Sequence, residues 1–287
     1  MHIIVGGTGQ VGSAVARALI DRGEPITVVT RHADHAAGLT AAGAAVAVVD
    51  IRDVASLRDV FRTGSRAFLL NPPADPSGDT DAEERANVAA IIAALEGSGL
   101  QKLVAASTYG ARAGERCGDL TVLHRFEEML RAQPIPAAIN RGAYYMSNWA
   151  GMLGPALASG TLPSFFPADL ALPMVAPADL GEAAADRLLS PIDDIALKHV
   201  EGPGRYSPKD VADAISTAFD RPVEVEVIPR EDWRATFLRF GFSQAGAASY
   251  ACMTAAVVDG QISGPADPVR GRTSLRTFFD ALAKSVS

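Results

Sequence analysis

The stretch His2-Ile3-Ile4-Val5-Gly6-Gly7-Thr8-Gly9-Gln10-Val11-Gly12-Ser13-Ala14-Val15 constrains this chain more than any other. A short apolar run leads into glycines, and the glycines open a segment with apolar residues at helical spacing. Gly6, Gly9 and Gly12 satisfy GxxGxxG, and Gly7, Gly9 and Gly12 also satisfy GxGxxG. Glycine lets the backbone turn with positive φ and leaves room for a diphosphate against it. The helix that follows offers free N–H groups and a partial positive charge to that anion. With a strand before it and a helix after it, the pattern predicts a dinucleotide-binding turn. Its candidate contacts are Gly6, Thr8, Gly9, Gln10, Val11 and Gly12. The plain alternative is a tight strand–helix turn that binds nothing.

The same alternation continues. Candidate strands are His2–Val5, Ile26–Thr30, Ala45–Val49, Ala67–Leu70, Lys102–Ala106 and Ala137–Asn140, with helices expected over Val11–Asp21, Ala55–Arg62, Asp81–Leu95 and Thr121–Arg131. Asp53 and Asp81 are candidate N-caps or first-turn acids. Brief apolar strands separated by amphipathic helices predict an α/β fold, a Rossmann-type doubly wound parallel sheet, over residues 1–150. Beyond Trp149, glycines and prolines crowd residues 151–177, so that segment reads as loops with short elements. Regular structure resumes with a helix over Asp179–Leu189 and a strand over Leu197–Val200. A helix capped by Ser207-Pro208 runs to Phe219, a strand covers Val223–Ile228, and helices cover Arg230–Phe240, Gln244–Val258 and Ser274–Lys284. Residues 151–287 are therefore expected to form a smaller substrate-side α/β part, with parts of 176–228 completing the sheet.

Composition narrows the function classes. The net charge of −7 leaves no basic stripe for phosphate backbones, so nucleic acid is not expected as a direct partner. No apolar run reaches the ~18 residues of a membrane span, and the first residues are a strand without the basic flank of a signal peptide. Cys117 and Cys252 stand far apart without a CxxC, so neither a disulfide framework nor a zinc site is expected. They read as core or surface residues of a reducing, cytoplasmic compartment. The five histidines lack H-E-x-x-H or similar spacing, and no metal is expected.

An acid after the second strand would bind the ribose hydroxyls of NAD. Here the strand ends Thr30-Arg31-His32, with Arg31 19 positions after Gly12. A guanidinium suits the extra phosphate of NADP, which a carboxylate would repel. NADP(H) is therefore expected over NAD(H), although a solvated loop arginine would look the same. Asp50-Ile51 follows the third strand and is a candidate adenine contact, with Asp53 as a helix cap beside it.

These features resemble the NmrA-like branch of the atypical short-chain dehydrogenases. Asp50, Asp53 and Ser56-Leu57 are similar to its D-x-x-D-x-x-S-L stretch. Glu127-Glu128 with Leu130, Ile139-Asn140-Arg141 and Asn148 are similar to its E-x-x-L … I-L-R-P … F-x-x-N block. Asp179, Gly202-Pro203, Tyr206-Ser207, Val211-Ala212 and the terminal Thr273-Ser274-Leu275 with Phe278-Phe279 continue the likeness. Arg141-Gly142 departs from the family's Arg-Pro. The resemblance implies an NADP(H) site and one of two roles. One is a reductase of quinones or other conjugated acceptors, monomeric or homodimeric; the other is a non-catalytic sensor of the cofactor's redox state.

Ordinary short-chain dehydrogenases protonate their product through Tyr-x-x-x-Lys. None of the five tyrosines here is followed four positions later by lysine. A conjugated acceptor takes hydride without that pair, and the protein then mainly positions it and excludes water. The carboxyl ends of the strands carry the candidates. Asn71, Pro72 and Pro73 are expected beside the nicotinamide ribose. Ser107 and Tyr109 offer hydroxyls, although Tyr109 packing against the next loop is as good a reading. Gly142, Ala143 and Tyr144 are expected to pass the carboxamide. Tyr144 and Tyr145 are candidate platforms for an aromatic substrate or, equally, core residues. Asn148 ties its loop or touches substrate, Phe165 walls the site or fills a core, and His124 reaches the site or sits half-exposed on its helix.

Overall fold

The computed structural model describes residues 1–286. In chain order the first half forms β1 (His2–Val5), α1 (Gln10–Ile20), β2 (Ile26–Thr30), α2 (Ala37–Ala41), β3 (Ala45–Val48), α3 (Val54–Phe61), β4 (Arg66–Leu69), α4 (Thr80–Leu95), β5 (Lys102–Thr108), α5 (Asp119–Ala132) and β6 (Ala137–Gly142). There follow β7 (Tyr144–Tyr145), α6 (Ser147–Ala150), α7 (Leu153–Ser159), β8 (Thr161–Ser164), β9 (Leu172–Val175), α8 (Pro177–Leu189), β10 (Leu197–Glu201), β11 (Arg205–Tyr206), α9 (Pro208–Phe219), β12 (Glu224–Val227), α10 (Trp233–Arg239), α11 (Gln244–Val258), β13 (Val269–Arg270) and α12 (Leu275–Val286).

One eight-stranded sheet, ordered β3-β2-β1-β4-β5-β6-β10-β13, organises these elements, and every neighbouring pair in it is parallel. The first six strands follow the order 3-2-1-4-5-6 of a Rossmann sheet, whose direction of winding reverses between β1 and β4. Both faces are covered. Ile3, Val5, Ala67, Leu69, Leu103 and Ala105 meet Leu57, Phe61, Val88, Ile91, Val122 and Phe126 of α3–α5. The alternate residues Ile4, Phe68, Val104 and Ala138 meet Val15 and Leu19 of α1 and Leu180, Ala184 and Leu188 of α8. This is the period-2 alternation of a strand buried on two sides. Each fully buried Leu, Ile, Val or Phe contributes roughly 1.5–3 kcal/mol.

Residues 197–201 and 269–270 extend the sheet beyond β6. A three-stranded sheet β11-β9-β7 and the pair β12-β8 lie over its carboxyl end, around a core of Met146, Trp149, Phe166, Met174, Val211, Ile215 and Phe279. Ser207 caps α9 in a reciprocal capping box with Asp210, with Pro208 at the first helical position. The Arg230–Phe240 segment begins with a 3-10 turn, Arg230–Asp232, before α10, and Trp233 donates its indole N–H to the Ile228 carbonyl across that turn.

Asp79 caps α4, accepting from the Ala82 N–H, and Asp81 takes the expected place of a first-turn acid and is buried there. One local expectation is corrected. Cys117 and Cys252 form a disulfide, with Cα atoms 5.3 Å apart across a sequence separation of 135. Spacing in the sequence is blind to this pairing, because it arises only when α11 folds down onto the start of α5. There the two cysteines pack with Leu120, Met253, Ala256 and Ile262.

Candidate active site

The glycine turn is shaped by close approach. Gly6 has φ +69°, and its carbonyl accepts the Gly9 N–H at 3.0 Å. A Cβ on Gly12 would lie 2.1 Å from the Gly6 oxygen, so any side chain there would push α1 off the turn. No side chain caps α1 at Gly9, which leaves the first-turn N–H groups of Gln10, Val11 and Gly12 for an anion. Thr8 Oγ1 lies 3.4 Å from Thr30 Oγ1, tying the turn to the end of β2. Arg31 comes next. It is exposed and, among the described residues, makes no hydrogen bond or ion pair. At the end of β3, Asp50 is exposed and folds its carboxylate back onto the Arg52 N–H at 2.9 Å. Ile51 packs against the α3–α5 side of the core, and Asp53 caps α3 through Ser56.

After β4 the chain opens into Asn71-Pro72-Pro73. Asn71 Oδ1 is buried without a partner, Pro72 accepts from Asn87 at 3.5 Å, and Pro73 is exposed. At the end of β5 both candidate hydroxyls are engaged with buried carboxylates. Ser107 Oγ donates to Glu127 Oε1 at 2.6 Å. The Tyr109 hydroxyl meets Glu201 Oε1 at 3.1 Å; burial and then the Glu201 charge push its pKa up.

Glu127 also holds Arg141 at 2.7 and 2.8 Å and Arg131 at 3.0 Å. Burial works to raise the Glu127 pKa, but the hydrogen bonds from Arg141 and Ser107 outweigh it and hold the carboxyl below its ordinary value. This cluster joins the ends of β5 and β6 to α5. The family-like Glu127 and Arg141 thus act as a brace beneath the site.

Past β6, Ala143 donates to the Val200 carbonyl, and a Cβ on Gly142 would come within 2.9 Å of the Tyr145 ring. Tyr144 faces the second core, against Trp149 and Phe166, and its hydroxyl bonds Asn148; burial pushes its pKa up to about 12. Asn148 is otherwise exposed. Phe165 belongs to a separate cluster, stacked on Phe237 with ring centroids 4.3 Å apart. Tyr145 is half-buried at the edge of the α1–α8 core, and burial followed by the charge of Asp119 raises its pKa. His124 sits on α5 with Nε2 3.6 Å from Glu128, and its Nδ1 is buried without a partner. The structure therefore gathers the glycine turn, Arg31, Asn71, Gly142, Ala143 and Tyr145 at the carboxyl end of the sheet. It turns Tyr144 and Phe165 into the smaller part of the molecule.

Asp81, a candidate helix-start acid, is joined at this end by two acids, Glu84 and Asp119, that carry no signal in the sequence. Asp81 and Glu84 of α4 are buried, and Asp119, the first residue of α5, is exposed. Glu84 accepts the Ala74 N–H at 3.2 Å from the loop after β4. Burial and then the Asp119 charge push its pKa up to about 8. Acids are common at and just beyond the first turn of a helix, where Asp81, Glu84 and Asp119 stand, so nothing in the sequence sets these apart.

The chain's own groups fit a nicotinamide dinucleotide. An uncapped helix N-terminus stands over a turn that only glycine closes, with a free guanidinium beside it and an orphaned amide oxygen on the next loop. The sequence model of the NmrA-like family matches residues 2–262. An NAD(P)H azoreductase from Xenophilus azovorans is 24% identical over 247 residues, covering 85% of this chain and 83% of its own. An NADPH-dependent quinone oxidoreductase from Escherichia coli, in complex with NADPH, superposes with a TM-score of 0.79 at 19% identity, covering 98% of this chain and 99% of its own. A triphenylmethane reductase from Citrobacter sp., in complex with NADP(H), superposes with a TM-score of 0.80 at 19% identity, covering 99% and 100%.

Proposed function

This chain belongs to the NmrA-like family, and from that premise we propose that it is an NADPH-dependent reductase of quinone-like or other conjugated small molecules. The observation that carries the reading is the uncapped start of α1 above the Gly6–Gly12 turn with the unpartnered Arg31 beside it. The reductases named above support the direction of the chemistry. When bound, NADPH supplies the hydride.

The chain's residues do the rest. Gly6, Thr8, Gly9, Gln10, Val11 and Gly12 hold the diphosphate through backbone N–H groups. Arg31 bonds the ribose phosphate and so favours NADP(H) over NAD(H). Asp50 and Ile51 flank the adenine. Asn71, Pro72 and Pro73 border the nicotinamide ribose, and Gly142, Ala143 and the backbone of Tyr144 border the carboxamide. Tyr145 offers a ring to the acceptor, and His124 presents its orphaned Nδ1 from α5. Ser107 and Tyr109, with hydroxyls committed to Glu127 and Glu201, serve as positioning residues in this reading. No helix is long and apolar enough to cross a membrane. We place the protein in the cytoplasm, as a monomer or homodimer.

The test is loss of NADPH absorbance with a panel of quinones and conjugated dyes. Turnover on at least one acceptor is expected. Equal, tight binding of NADPH and NADP+ with no turnover on any of them would instead make the protein a redox sensor.

A further inference from the structure

The loop between β5 and α5 is seated on α11 and on the chain that follows it. A Cβ on Gly118 would fall 2.6 Å from the Met253 sulfur, and one on Gly110 would fall 2.7 Å from Ile262, so the loop backbone rests directly on those side chains. Arg112 donates to Gln261 at 2.9 Å. A further tie is covalent, the Cys117–Cys252 disulfide. The start of α11 is held by the loop after β4, where the Ser243 N–H donates to the Pro76 carbonyl at 2.8 Å and its hydroxyl to the Gly78 carbonyl at 2.6 Å. The two loops meet through Arg116 and Asp79 at 2.6 Å. An open α/β sheet binds its ligands outside the carboxyl ends of its strands, and α11 is tied to the loops leaving two of them, β4 and β5.

Beyond α11 the chain crosses to the far edge of the sheet. Ile262 packs onto the same core as Tyr109. A Cβ on Gly264 would fall 2.9 Å from the Tyr109 ring. Arg270 and the Gly271 N–H bond Glu201 at 2.7 and 2.6 Å. Residues 259–271 thus form a strap over Tyr109, which is 5% exposed beneath it. The apolar contact between α11 and the β5–α5 loop is small: besides the cysteines it holds Leu120, Met253, Ala256 and Ile262. With so little buried surface and one exposed hydrogen bond, the disulfide carries a large share of the hold.

Cytoplasmic reductants keep most thiols reduced, and disulfides that form there are chiefly transient, catalytic or redox-sensing. Cys117 is buried and Cys252 half-buried, so exchange begins at Cys252. We propose that Cys117 and Cys252 are a thiol–disulfide modification site that sets how firmly α11 and the strap close over the acceptor region, with dithiols and low-molecular-weight disulfides as its reagents. The effect on turnover rests on the reductase reading; the exchange chemistry does not.

In the reducing direction a thiolate of the dithiol attacks the Cys252 sulfur. The protein S–S bond breaks, and Cys117 leaves as a thiolate and takes up a proton. The second thiolate of the reagent attacks the mixed disulfide, and Cys252 leaves in the same way. The protein has gained two electrons and two protons, and the dithiol has become a disulfide. Oxidised glutathione runs the exchange backwards and leaves as two molecules of the thiol. The reduced cysteines remain small apolar residues among their neighbours, so the fold persists while the covalent tie is lost. The glycine turn and Arg31 follow β1 and β2, two and three strands from β5, and are not touched by the tie. Acceptor binding therefore weakens by the fraction of time that α11 and the strap stand open, and cofactor binding does not.

The experiment equilibrates the folded protein with dithiothreitol or with oxidised glutathione and follows alkylatable thiols by mass spectrometry, amide hydrogen exchange, and steady-state kinetics with NADPH and a quinone. Dithiothreitol should release both thiols in the folded chain, and oxidised glutathione should remove both again. Amide exchange over residues 109–118 and 259–271 should be at least about tenfold faster in the dithiol form. The acceptor KM should rise at least about threefold on reduction, with the NADPH Kd within about twofold. Cys117→Ser with Cys252→Ser should match the dithiol form and ignore both reagents. A disulfide that yields to dithiothreitol only in denaturant overturns the proposal, and so do thiols that oxidised glutathione does not return to the disulfide. Equal amide exchange in the two forms, or an equal acceptor KM, overturns it as well. If the paired variant fails to fold, the two forms of the unsubstituted protein still decide. Reversible exchange with altered amide protection but no turnover on any acceptor would reject the reductase reading and leave the thiol site standing.

Discussion

Removing the Glu127 carboxylate gives the sharpest test of how the site is held. Glu127 is 1% exposed and receives Ser107 at 2.6 Å, Arg141 at 2.7 and 2.8 Å and Arg131 at 3.0 Å. Glu127→Ala strands the largely buried Arg141 guanidinium and the Ser107 hydroxyl together. Breaking one side of a buried ion pair costs ~3–5 kcal/mol. For a chain of this size that corresponds to a fall in Tm of roughly 6–20 °C. Glu127→Gln keeps the shape and one acceptor oxygen, so it should lose less, about 1–3 kcal/mol.

The pH dependence has a definite sign. Because the folded carboxyl titrates below its usual 4.5, its contribution is complete above that value and vanishes as pH falls through the folded pKa. The gap between the native protein and Glu127→Ala should therefore be widest near neutrality and close in acid. Urea unfolding followed by circular dichroism at several pH values measures it. A loss below about 1 kcal/mol at neutral pH, or a gap that does not close in acid, would refute the brace.

Arg31→Ala should weaken NADPH binding about 10- to 100-fold, the worth of charge-assisted hydrogen bonds to a phosphate, with little change for NADH; equal losses in calorimetric titration would remove the basis for NADP preference. Tyr109→Phe should lower kcat by less than about threefold and cost ~1 kcal/mol of stability, since it loses one buried hydrogen bond; a drop of a hundredfold or more in a folded variant would make Tyr109 the proton donor. Reducing Cys117–Cys252, which closes a span of 135 residues, should destabilise the chain by up to ~5 kcal/mol on the loop-entropy estimate; an unchanged Tm under reductant, with both thiols titrating, would show that helix packing alone holds α11 down. Gly12→Ala should abolish binding of both cofactors, because its Cβ would meet the Gly6 oxygen at 2.1 Å; retained affinity would mean that the turn relaxes without cost.

The sequence by itself determined the parallel sheet and the cofactor end of the molecule, because both are written in local periods. Alternating apolar residues mark strands covered on two faces, and the Gly6–Gly12 spacing marks a turn that only small residues can close. Even the Ser207 cap and the span of α11 are legible this way. What stood outside local pattern was the direction in which side chains are spent. Ser107 and Tyr109 sit at the expected strand end, yet their hydroxyls meet Glu127 and Glu201, residues 20 and 92 positions away. Cys117 finds Cys252, and Asp81, which looks like a routine helix starter, is buried with neither carboxylate oxygen hydrogen-bonded. Spacing encodes how a segment turns and which face it buries. Desolvation, pairing and charge balance depend on which distant segments arrive at the same place, and that only the tertiary structure decides.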